Sequence, residues 1–142
     1  MMQDTELLQY VHETAEMGVE GLENVKGQIT DGRLLQSVQS QIAEYRDISQ
    51  RSAQMLRSKG KDPKDPSLMA RISSEVMSTV QTLADSSSSK IAEMVIQGNN
   101  MGITKGLKHL HDYAGDDRQI RALAEELLST EQANVEQMKP FL

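Results

Sequence analysis

Glu131 and Asn134 stand three residues apart in the last helical stretch of this chain, a spacing that sets both side chains on one face of an α-helix. Glu44 and Asp47 repeat the spacing earlier, and Glu16, Glu20, Glu23 and Glu93 supply further carboxylates. Carboxylates aimed at one point, joined by imidazole from His12, His109 or His111, would hold divalent cations such as iron or manganese. Direction around each helix decides which of them can meet. At about 100° per residue, Glu44 lies roughly 100° from the centre of its stretch's apolar arc and Asp47 lies farther, while Glu20 and Glu93 sit opposite theirs; these four face water. Glu16 and Glu23 fall nearer an arc's edge, and His12 borders the same arc. Glu131 and Asn134 fall inside one. His109 and His111 lie near a turn, roughly 15 Å along the helix axis from Asn99.

Such faces require helices, and the breakers divide the sequence into five helical stretches. Residues 27–32 (GQITDG) separate the first two, about 4–28 and 32–59, and residues 60–67 (GKDPKDPS) end the second. A third, about 68–84, runs into DSSSS at 85–89, whose side chains can cap a fourth, about 90–114. Gly115 stops the fourth, as a residue suited to the left-handed position, Asp116 or Asp117 caps a fifth over 118–139, and Pro140 ends it. Each stretch turns one apolar arc inward. The arcs are Leu8, Val11, Ala15, Gly18, Leu22 and Val25; Leu34, Val38, Tyr45, Ser52 and Leu56; and Leu68, Ile72, Val76, Val80 and Leu83. The last two are Ile91, Val95, Asn99, Gly102, Gly106, Leu110 and Tyr113, then Ile120, Ala124, Leu127, Glu131, Val135 and Met138. No run alternates as a strand would. The fold class is all-α, a single domain over residues 1–142: two antiparallel hairpins joined by a long connection carrying an extra crossover helix.

Composition narrows the function. Fifteen Lys and Arg against twenty-one Asp and Glu leave a net charge of −6, with no basic run, which argues against a nucleic-acid partner or an anionic membrane surface. The absence of cysteine excludes disulfides, thiolate metal sites and a cysteine nucleophile, and fits a reducing, cytoplasmic setting. No apolar run spans a bilayer, and the N-terminus lacks the order of a signal peptide. No nucleophile–base pair, phosphate loop or dinucleotide fingerprint is visible.

VEGLENV at 19–25, AEYRDISQ at 43–50, MVIQGNN at 94–100 and STEQANVEQMK at 129–139, in that order and spacing, give the chain a resemblance to the ferritin-like superfamily. It is closest to small bacterial ferritin-like four-helix-bundle proteins of unknown function, and the likeness covers nearly the whole chain. In metal-binding members the resemblance implies a carboxylate from each of two helices and a Glu-x-x-His from each of the other two, all inward. Here the inward positions are held instead by Gly18 or Ala15, by Tyr45 and Ile48, and by Asn99, and the last helix has Asn134 where the pattern has histidine. The expected site is a dismantled one, binding no cofactor: a remnant polar core cluster of Tyr45, Asn99, Glu131 and Asn134. Asn99 and Glu131 each lie about sixteen residues from the turn near Gly115, so they share a layer, and Glu131 is expected to be buried and hydrogen-bonded to Asn99, Tyr45 or Asn134.

Gly98, Gly102 and Gly106 repeat every fourth residue, the pattern of close helix packing, at about 1 kcal/mol each relative to alanine. The nine methionines read as gap-fillers. The resulting expectation is a non-enzymatic bundle with a structural or protein-interaction role, a homo-oligomer with an unidentified protein partner. The alternatives are weak iron or manganese binding through Glu131, Glu16, Glu23 and His12, with oxidase or storage chemistry, and a small-ligand pocket at the polar cluster.

Overall fold

The computed structural model describes residues 1–64 and 86–142. Four α-helices fill those residues: α1 (Asp4–Lys26), α2 (Gly32–Ser58), α3 (Ser88–Asp112) and α4 (Arg118–Met138), followed by a 3-10 turn over Lys139–Phe141. Three of the helices begin on side-chain caps that occupy otherwise orphaned backbone N–H groups. Asp31 accepts from Arg33 and Leu34 at 2.8 and 3.2 Å, Ser87 from Lys90 at 3.2 Å, and Asp117 from Gln119 and Ile120 at 2.9 and 3.2 Å. No side chain caps α1, but Asp4 and Glu6 place negative charge in its first turn. Among the described residues there is no strand; a single bridge pairs Met2 with Tyr113.

Hydrogen bonds between helices fix their directions. Met2 N donates to Asp112 O at 3.0 Å and Ala114 N to Met2 O at 2.8 Å, so α1 begins where α3 ends and the two run antiparallel. Gln41 pairs with Gln137 and Arg51 with Glu126, which makes α2 antiparallel to α4. With the hairpins α1–α2 and α3–α4, α1 and α4 point one way and α2 and α3 the other. Lys59 sits where these ends converge, its ammonium 3.7 Å from Asp4 and 3.8 Å from Asp117. Lys64, whose N–H donates to Gln9 Oε1 at 3.1 Å, lies toward that end, whereas Ser86 precedes α3 at the other. The helix expected over 68–84, with its arc from Leu68 to Leu83, lies outside the described residues.

The core follows the arcs. Leu7, Leu8, Leu34, Leu56, Ile91, Ile120 and Leu127 are essentially inaccessible, each stabilising the fold by about 1.5–3 kcal/mol. That outweighs the roughly 1 kcal/mol that an interior glycine costs a helix. On α4 Asn134 is fully buried, in line with its place inside the arc, whereas Val135, placed on the same arc, is only partly so. Gly115 does not adopt the left-handed conformation expected of it; among the described residues only Gly60, with φ 75°, has positive φ. Gly115 is there for room. A Cβ would lie 2.5 Å from the Tyr113 hydroxyl, which donates to Asp4 Oδ1 at 2.6 Å and ties α1 to the α3–α4 turn.

Candidate functional site

The buried polar groups gather at one level of the bundle, and glycines make the space. Tyr45, midway along α2, lays its ring against α1 at Gly18, where a Cβ would come within 2.7 Å of Tyr45 Cδ2. Its hydroxyl donates to Asn99 Oδ1 on α3 at 2.8 Å. Asn99 Nδ2 in turn donates to Val95 O at 2.9 Å, so the Asn99 amide is engaged at both its oxygen and its nitrogen. Glu131 comes from α4 and rests its carboxylate on Gly102, where a Cβ would lie 2.6 Å from Glu131 Cδ and nearer still to Oε2. Tyr10 of α1 closes the other side, donating to Gly102 O at 3.3 Å with its ring centroid 4.2 Å from that of His109.

Glu131 is only 3 % exposed. No hydrogen bond reaches its oxygens from the described residues, so the expected bond from Asn99, Tyr45 or Asn134 is absent. Tyr45 donates its proton to Asn99, and Asn99 Nδ2 donates to Val95 O of α3 itself. Burial alone therefore acts on the carboxyl and pushes its pKa up to about 8. The same burial, reinforced by the negative charge of Glu131, raises Tyr10 to about 12 and raises Tyr45 further, against an opposing influence of Thr14 on the first and of Asn134 on the second. Among the described residues no cation offsets the charge of Glu131; Tyr10, Tyr45 and Gly102 lie against it.

Asn134, one turn beyond Glu131, is completely buried with neither Nδ2 nor Oδ1 partnered. Gln41, one turn before Tyr45 and 1 % exposed, donates to Gln137 Oε1 at 3.0 Å and leaves its own Oε1 unpartnered. Neither Gln41 nor Tyr10 was singled out by sequence. Gln41 falls on the arc of Leu34, Val38 and Tyr45, so its inward direction was readable there. Tyr10 lies off the first arc; the signal for it was the pair Gly102 and Gly106, which leaves a slot a large side chain can enter.

The three glycines of α3 are not one packing stripe. Gly98 is exposed and a Cβ there meets nothing within 4 Å, while one on Gly106 would sit 3.5 Å from the Tyr10 hydroxyl, an ordinary contact. Only Gly102 is under steric demand, and what demands the space is Glu131 rather than a neighbouring backbone.

Nor does the alternative set of Glu131, Glu16, Glu23 and His12 come together. Glu23 is tied at the surface to Arg46 and Lys26, both at 2.9 Å, and the hydrogen bond from Lys26 leads the causes that lower its pKa. Glu16 accepts from Ser49 Oγ, and His12 Nδ1 faces Ser49 O at 3.2 Å and Ser52 Oγ at 3.4 Å, in a separate polar seam between α1 and α2. Among the described residues no three histidine or carboxylate side chains cluster as a metal site would need. One carboxylate, two amides and a phenol do not fit a pair of divalent ions, which require several anionic oxygens to replace their hydration. What the layer can do is hold and release a proton at Glu131.

No family model, curated protein or solved structure matches this chain. Among the described residues no helix is long and apolar enough to cross a membrane.

Proposed function

We propose that the chain is a ferritin-like four-helix bundle, its hairpins joined by a crossover helix, whose di-metal centre is dismantled. It serves as a structural or protein-interaction element and assembles as a homo-oligomer in the cytoplasm. The helix directions support the topology, because a connection from the foot of α2 to the head of α3 has the length of the bundle to run. The observation that carries the functional reading is the solitude of Glu131: the inward groups beside it are Tyr45, Asn99 and Asn134, where a metal centre would place anionic and imidazole ligands.

The test is metal loading of untagged protein under anaerobic Fe²⁺ or Mn²⁺, followed by exposure to oxygen. The expected result is substoichiometric metal and iron oxidation no faster than in buffer. Two tightly held ions per chain, lost in Glu131→Gln, would overturn the reading in favour of oxidase or storage chemistry. Light scattering on the same sample tests the assembly, and a monomer at all concentrations would refute that part.

A further inference from the structure

The polar layer does not balance its own hydrogen bonds. The buried atoms left without a partner are Gln41 Oε1, Asn134 Oδ1 and Asn134 Nδ2. An amide with neither end bonded inside a core costs about 1–3 kcal/mol for each group left short, and native cores satisfy such groups with protein or ordered water. Tyr45 and Asn99 are already committed to each other and to Val95 O, and Gly102 offers no side chain. The missing species must both donate and accept, must be compact, and must be reachable.

We infer that Asn134 and Gln41 form an internal water-binding site, entered along the seam where Gln41 meets Gln137. Water has two donors and two acceptors, the complement of an acceptor-rich layer that also holds one orphan N–H₂. Gln137 marks the way in: it is exposed, it borders a surface cleft with Arg33, Ser37 and Phe141, and its Oε1 holds the Gln41 amide. The inference rests on the orphaned amide and stands whether or not the chain is a ferritin-like relative.

Oxygen-17 and deuteron magnetic relaxation dispersion on the wild-type protein measures long-lived internal water directly. The expected result is a dispersion from water held far longer than surface hydration, and its loss in Asn134→Leu. The same variant melts lower than wild type, because leucine evicts the water and leaves Gln41 Oε1 without it. A dry layer gives the opposite: no such dispersion in wild type, and a higher melting point for Asn134→Leu because two orphan groups are removed. Either of those results overturns the site, as does a dispersion that Asn134→Leu leaves unchanged. If Asn134→Leu does not fold, the wild-type measurement still decides.

Discussion

Glu131→Gln should stabilise the protein at neutral pH and flatten its dependence on pH. The carboxyl pKa rises from 4.5 to about 8 on folding because burial penalises its charged form. The folded chain therefore binds more protons than the unfolded one between these values, and stability falls as pH rises through them. At about 1.4 kcal/mol per pKa unit, the full loss above pH 8 is about 5 kcal/mol, and at pH 7 about 3 kcal/mol has already gone. Below pH 4.5 the carboxyl is neutral in both states and the penalty vanishes. Glutamine keeps the shape and never ionises, so at pH 7 it should recover about 3 kcal/mol, a rise in melting temperature of roughly 10 °C for a chain of this size. Far-UV circular dichroism melts and urea unfolding from pH 5 to 9 make the measurement. Tyr10 and Tyr45 ionise above that range. His109, its pKa lowered chiefly by burial, contributes the opposite slope below the ordinary histidine value of about 6.5, so a His109→Gln background isolates the carboxyl. Parallel pH profiles for wild type and Glu131→Gln, or a lower melting point for the variant at pH 7, would refute the reasoning, since both would mean that the charged form is already compensated.

The glycines of α3 should respond oppositely to alanine. Gly98→Ala, with open space around its Cβ, should stabilise by about 1 kcal/mol through helix propensity, whereas Gly102→Ala should destabilise by about 1–3 kcal/mol as the new methyl displaces Glu131; urea midpoints of both variants check the pair. Combining Gly102→Ala with Glu131→Ala should relieve most of that clash, and strictly additive losses would count against it. Tyr45→Phe leaves Asn99 Oδ1 without its donor in a buried site and should cost about 1–3 kcal/mol, read in the same unfolding assay. Lys59→Met removes a partly exposed ammonium between Asp4 and Asp117; the loss should stay under about 1 kcal/mol and shrink in high salt.

The helices were legible because their signals are local. Apolar spacing, the Asp117 cap, the DSSSS cluster and Pro140 all act within a turn or two of the residues they govern, and the structure places the ends of α2, α3 and α4 within a few residues of where those signals fall. The inward direction of Glu131, Asn99 and Tyr45 was legible for the same reason. Partner choice was not. A helical wheel gives the angle of Tyr45 but not that its hydroxyl crosses to Asn99 rather than to Glu131, since that depends on how three helices meet. The role of Gly102 was misread on similar grounds. Three glycines at four-residue intervals look alike in sequence, and only the placement of Glu131 and Tyr10 tells them apart.

That distinction bears on what the polar layer does for the fold. Glycines at 98, 102 and 106 are four residues apart, so a slip of α3 by about 6 Å would bring another glycine under Glu131. Sterics at Glu131 alone do not set the register of α3. Asn99 does. The same slip puts Val95 or Ile103 opposite the Tyr45 hydroxyl, and neither side chain can accept its proton, which costs about 1–3 kcal/mol for a buried group. Tyr45 is itself held in place by Gly18, because the ring lies where any α1 side chain would stand, so α1, α2 and α3 are locked by one ring and one hydrogen bond. An apolar layer would pack as tightly but would accept either register. Asn99→Leu should therefore keep the helices while admitting a second arrangement of α3, seen as doubled amide resonances confined to α3 and its neighbours; a single sharp set of resonances would show that packing alone suffices.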